Sequence, residues 1–121
     1  MATPNLVNVA TIQGITVAGA VTTSNVDIVD VPADDLYKVN VLYVSNVDGT
    51  NDATVSVSVS VDNGSNYYHL AKTVTVPADS TVQVISKDSS IYLDETDLLR
   101  IVGSANNMLE YVCSLESLDD A

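Results

Sequence analysis

The chain has 121 residues, 16 acidic and four basic, for a formal net charge of −12. Recognition of phosphate runs on cations that displace counterions, so this balance excludes nucleic acid and anionic membrane surfaces as direct partners. The length fits one domain that buries roughly two-thirds of its unfolded surface without cross-links, and with no Trp or Phe its core must be aliphatic.

Cys113 is the single cysteine, so no intrachain disulfide forms, which fits folding in a reducing compartment. No basic stretch followed by an apolar one marks a signal peptide at the start. No apolar run approaches the ~20 residues that span a bilayer.

Residues 1–10 hold Pro4 and two asparagines and read as an extended arm, with a short strand over 6–9. Residues 11–21 are apolar, are punctuated by Gly14 and Gly19, and supply one or two strands. Residues 26–31 alternate Val26 and Ile28 against Asp27 and stop at Pro32. Residues 36–44 make a long strand, with Val39, Val41 and Tyr43 on one face and Leu42 and Val44 on the other. Apolar on both sides, it belongs at the centre of a sheet. Residues 46–52 turn around Asp48-Gly49.

The clearest element follows. Residues 55–61 read Val-Ser-Val-Ser-Val-Ser-Val, and side chains alternate faces along a strand. The run predicts a strand with a dry valine face and a wet or lightly covered serine face. A hydroxyl face this poor in charge is an aggregation hazard when bare, which favours a covered or oligomeric setting for Ser56, Ser58 and Ser60. Asn63-Gly64 marks a turn between β runs. Strands follow over 67–76, 81–86, 91–93, 98–102 and 109–115, with a loop over 103–107 and room for one helical turn over 94–99. The total is about eight or nine strands with short turns.

Val-Pro-Ala-Asp occurs at 31–34 and again at 76–79, each time between two strands. Proline removes a ladder donor and aspartate caps a reversal, so both copies predict a corner. They record either a duplicated unit or convergence on one corner chemistry. The fold class is all-β: an antiparallel β-sandwich, jelly-roll-like, or a barrel closed from the same strands. The organisation is an arm (1–10), a sandwich domain (11–116) and a short acidic tail (117–121).

Chemistry-bearing residues are few. His69 is the only histidine, so no histidine cluster can bind zinc, and no nucleophile-elbow motif accompanies it. Cys113 shares a face with Leu109, Tyr111 and Leu115 and reads as a small core hydrophobe. Residues 94–97, Asp-Glu-Thr-Asp, are the densest acidic cluster. With the oxygen-rich turns at 48–52 and 62–66 they match no twelve-residue EF-hand loop and read as a solvated turn, a structural calcium between loops being the alternative. The expectation is a non-enzyme, with no catalytic residue, no cofactor and no metal.

The stretches NLVNVATIQG (5–14), YKVNVLYVSNVDGTNDATVSVSVSV (37–61), YYHLAKTVTVPADSTVQVISK (67–87) and IYLDETDLLRIVGSANNMLEYVCSLE (91–116) together resemble small virion structural proteins of tailed bacteriophages, especially marine and cyanobacterial phages. The resemblance covers most of the chain and rests on strand and turn patterns. It implies a non-enzymatic, β-rich particle component. Small acidic members commonly decorate the capsid as trimers and cement neighbouring capsomers.

That resemblance implies a capsid decoration protein bound to the major capsid protein on the outer surface of a phage head, made in the host cytoplasm and assembled as a homotrimer. A neck, tail or fibre component is the nearest alternative. A carbohydrate-binding sandwich is a further one, weakened because sugar rings stack on aromatics and only six Tyr are present. The contact residues expected are Asn5, Leu6, Val7, Asn8 and Val9 of the arm, adding as a strand to a neighbour. Tyr67 and Tyr68 are expected as anchors with large contact area and a polar tip.

Overall fold

A computed structural model describes residues 11–119, so the arm residues Asn5 to Val9 lie outside the described part. Nine strands run in chain order: β1 (Thr11–Val21), β2 (Val26–Asp30), β3 (Leu36–Asn46), β4 (Ala53–Ser60), β5 (Tyr68–Val76), β6 (Thr81–Ile85), β7 (Ile91–Leu93), β8 (Leu98–Gly103) and β9 (Leu109–Asp119). They form two antiparallel sheets. One has the order β1-β9-β3-β6, with β7 also pairing β3; the other has the order β2-β8-β4-β5. The only helical segment among the described residues is a 3₁₀ turn at Lys87–Ser89, between β6 and β7, and not over 94–99.

The pairing is nested. β1 pairs β9, β2 pairs β8, β3 pairs β6 and β7, and β4 pairs β5. The chain is thus one long hairpin rolled across two sheets, the jelly-roll arrangement. Between the sheets lies an aliphatic core that includes Val39, Leu42, Val44, Val55, Val57, Leu99, Ile101, Leu109 and Leu115. Full burial of each such side chain contributes about 1.5–3 kcal/mol.

β3 is central, as expected, with β9 on one side and β6 and β7 on the other. Its faces differ from simple alternation. The register with β9 slips between Val39 and Val41, so a bulge at Asn40 reverses the phase. Val39 therefore joins Leu42 and Val44 in the core, while Val41 is half-buried and Tyr43 exposed. β9 also runs further than expected. Ser117 and Leu118, read from sequence as the start of a tail, pair with β1 and β3 and are buried.

The two Val-Pro-Ala-Asp copies adopt the same corner. Val31 and Val76 are buried, Asp34 and Asp79 take left-handed backbone at φ 69 and 58, and each proline carbonyl accepts the amide three residues on. Both copies carry the chain from the β2-β8-β4-β5 sheet to the other sheet. The corner at 94–97 repeats the design in the return direction, with Thr96 at φ 66 and the Asp97 amide donating to the Asp94 carbonyl.

Candidate functional site

The serine face of β4 turns out to be covered by its own chain. Ser58 and Ser60 are buried. Ser60 Oγ donates to Asp62 Oδ1 at 2.8 Å and accepts the Gly64 amide at 2.8 Å, so the 61–67 loop folds back over the strand end. The loop turns where Asn63 and Gly64 both have positive φ, 58° and 90°, as an Asn-Gly pair favours. Ser58 is flanked across the sheet by Arg100 and His69, and Ser56 Oγ accepts the Thr73 amide.

Tyr67 closes this loop. Its hydroxyl donates to Asp27 Oδ1 at 3.0 Å, and Arg100 Nε reaches the same oxygen at 3.2 Å. The Arg100 guanidinium lies 3.6 Å from the centroid of the Tyr67 ring. Burial, then the Asp27 carboxylate, raises the Tyr67 hydroxyl above its ordinary value. Tyr67 is thus engaged within the chain. Tyr68, its neighbour, is 64% exposed and presents its ring to solvent.

The acidic cluster at 94–97 spends carboxylates on backbone amides. Asp97 Oδ2 accepts the Asp94 amide, Asp94 Oδ1 the Glu95 amide and Glu95 Oε2 the Asp34 amide. Among the described residues no three His, Cys, Asp or Glu side chains converge on a metal position. Cys113 is fully buried, and burial pushes its thiol up to about 11, which suits a core residue and not a nucleophile. His69 is exposed on β5.

The remaining candidate is a surface. Among the described residues β1 is an edge strand, eleven residues long and without a charged side chain, and most of it is exposed. On its outward face Ala18 sits beside Val112, Val112 beside Tyr43, and Tyr43 beside Gln83. Tyr43 and Val112 are 42% and 43% exposed, so an uncharged row crosses the sheet. Two concavities lie along β1. A depression of about 360 Å³ is lined by Ala18, Gly19, Ala20, Glu110, Tyr111 and Val112. A cleft of about 190 Å³ opens between the sheets, lined by Ile15, Val17, Ile28, Val29, Asp30, Tyr37 and Leu115. The missing charge in residues 11–21 was visible in the sequence; that this strand forms an edge was not.

No protein-family model matches the chain, and no curated protein matches it. Solved structures share the fold. A chain from Bacillus endospore appendages, described as disulfide-linked pili, superposes with a TM-score of 0.56 at 15% identity, covering 92% of this chain and 88% of that one. A chain of the acid-stable capsid of Helicobacter pylori bacteriophage KHP30 superposes at 0.50 with 12% identity, covering 93% and 91%. A pentameric capsid protein from metagenomic phage sequences reaches 0.46 at 19% identity, covering 98% and 67%. At these identities the first two establish a shared sandwich fold and nothing finer.

Proposed function

We propose that this protein is a non-enzymatic structural component of a phage virion, a decoration or cement protein bound to the outer capsid. The observation that carries this reading is the combination of an aliphatic sandwich core with an uncharged, exposed β1 edge. A surface built for adhesion needs no converging titratable groups, and among the described residues the carboxylates of the densest acidic cluster are committed to turns. The likeness to the KHP30 capsid chain, nearly end to end for both chains, supports the virion setting.

The partner in this reading is the major capsid protein, and the oligomer is a trimer that uses the arm residues Asn5 to Val9 and Tyr68 as contacts. Interfaces of modest area, repeated by symmetry, add stabilisation to a pressurised shell. The net charge of −12 suits the outer face, away from packaged DNA. The test mixes purified protein with heads stripped of it and counts copies bound per head. Saturation at a fixed, symmetry-related number supports the reading, and indifference to heads overturns it.

A second reading has its own support. The likeness to the appendage chain favours a filament, tail or fibre subunit. The linkage described for those pili does not carry over, because Cys113 is the only cysteine and is buried in the core. Filaments formed by the protein alone would favour this second reading.

A further inference from the structure

Sheet edges in soluble proteins are guarded, because unpaired backbone groups recruit other strands. Three edges here are guarded. β2 is five residues long, carries Asp27 and Asp30, and is bulged at Ile28. β5 carries Lys72, two register slips against β4, and Thr73 in left-handed backbone at φ 52. The β6–β7 edge is cut by the 3₁₀ turn at Lys87–Ser89. β1 has none of these devices. It is eleven residues long, uncharged, free of proline, and in unbroken register with β9 from Thr11 to Val21. Among the described residues it pairs on one side only.

Beside that edge the core is left open. Ile15 and Val17 point inward from β1 and pack against the core only in part. With Ile28 and Leu115 they line the cleft of about 190 Å³ between the edges of the two sheets. A strand added to β1 would continue the sheet and place every second side chain at this cleft. The occupant must be apolar at alternate positions and free of acidic side chains, since Asp30 sits in the lining and the whole molecule carries −12.

We infer that the occupant is the segment Asn5-Leu6-Val7-Asn8-Val9 of a second copy, added as a strand to β1 with Val7 and Val9 directed at the cleft. Residues 1–10 carry no charged side chain, so the segment meets the charge requirement, and its valines meet the spacing. Pairing with its own β1 would require a reversal between Val9 and Ile12. That stretch holds no Gly, Pro, Asn or Asp to make one, and β1 is already extended at Thr11. The strand is therefore supplied in trans, a form of β-strand addition. This inference deepens the assembly part of the proposed function, and its test uses the isolated protein so that head binding and arm exchange fail separately.

The test uses two full-length variants. Val7→Asp/Val9→Asp disables the arm and leaves the acceptor edge intact. Thr16→Lys/Ala18→Lys places cations beside the acceptor edge on exposed positions and leaves the arm intact; Ala18→Lys alone serves if the pair disturbs the far-UV circular dichroism. Light scattering reads the mass against a protomer of 12.7 kDa. The expected result is a wild-type oligomer, two monomeric variants, and a heterodimer on mixing the variants, because each supplies what the other lacks. A wild type that stays monomeric at every concentration overturns the inference. So does an arm variant that still oligomerises, which would assign the edge to β1–β1 pairing, or a mixture that stays monomeric.

Discussion

Arg100 stacks on Tyr67 with its guanidinium 3.6 Å from the ring centroid, and both side chains meet Asp27. The cluster pins the 61–67 loop to the outer face of β2 and β8. Its ion pair is partly exposed, with side chains 28% and 34% accessible, so the pair itself contributes at most about 1 kcal/mol. The cation–π contact adds about 0.5–1 kcal/mol. Arg100→Ala is expected to cost roughly 1–2 kcal/mol in urea unfolding, from these two terms. Tyr67→Phe keeps the stack, loses one hydrogen bond and is expected to cost about 1 kcal/mol or less. Equal losses for the two variants would show that the stack is not what holds the loop.

Asn46 is a buried polar side chain that uses both its amide nitrogen and its oxygen. Its Nδ2 donates to the carbonyls of Asn51 and Val76, each at 2.9 Å, and its Oδ1 accepts the Asp48 amide at 2.9 Å. It is 3% exposed, so Asn46→Ala strands these groups and is expected to cost about 2–3 kcal/mol. Asn46→Asp turns an acceptor oxygen toward two carbonyls and should be worse at neutral pH, recovering in part as the pH falls and the carboxyl gains a proton. Denaturant midpoints for both variants at neutral and acidic pH check this.

Burial raises the Asp97 carboxyl above its ordinary value, although the hydrogen bond from the Asp94 amide opposes the shift. A raised carboxyl means that the folded state holds its proton more tightly than the unfolded chain. Its unfavourable contribution is therefore full at neutral pH and fades as the pH drops through the folded value. Asp97→Asn keeps an oxygen for the Asp94 amide and removes the buried charge. The variant is expected to equal or exceed wild-type stability at pH 7, with the difference shrinking toward pH 3. A large loss at pH 7 would show that the charge itself is needed.

Cys113 should resist alkylation in the native protein and react once denaturant unfolds it. Its thiol is raised to about 11 from 9.0 by burial, so the folded state favours the protonated form. That contribution to stability is complete below pH 9 and is lost as the pH rises from 9 toward 11. Mass spectrometry after timed iodoacetamide exposure, with and without urea, reads the first expectation; rapid native labelling at pH 8 would contradict it.

Strands and corners were legible because they depend on local chemistry. Valine alternation marked β4, and the repeated Val-Pro-Ala-Asp marked two corners that share one backbone geometry. The inward position of Val39 was not legible, because it depends on the single extra residue Asn40 in the ladder with β9, and periodicity does not register a bulge. The burial of Ser58 and Ser60 depends on a loop folding back and on cross-strand neighbours from β5 and β8. Asn46 read as the first residue of a turn, yet its partners lie as far as 30 residues away. Which strand forms an edge is a property of long-range pairing, so β1 offered only its lack of charge.

The nested pairing sets Thr11 directly opposite Asp119, at the same end of the β1–β9 ladder. A load applied through these two ends pulls across the ladder and opens its hydrogen bonds one after another, like a zipper. A load arriving along β1 from a strand paired with its outer edge pulls parallel to the bonds' row and strains many of them together. Single-molecule pulling through the two ends should therefore rupture the sandwich at lower force than pulling through β1 against β9 in opposite directions. A chain linked to its neighbours edge to edge would carry tension by the stronger of these two routes.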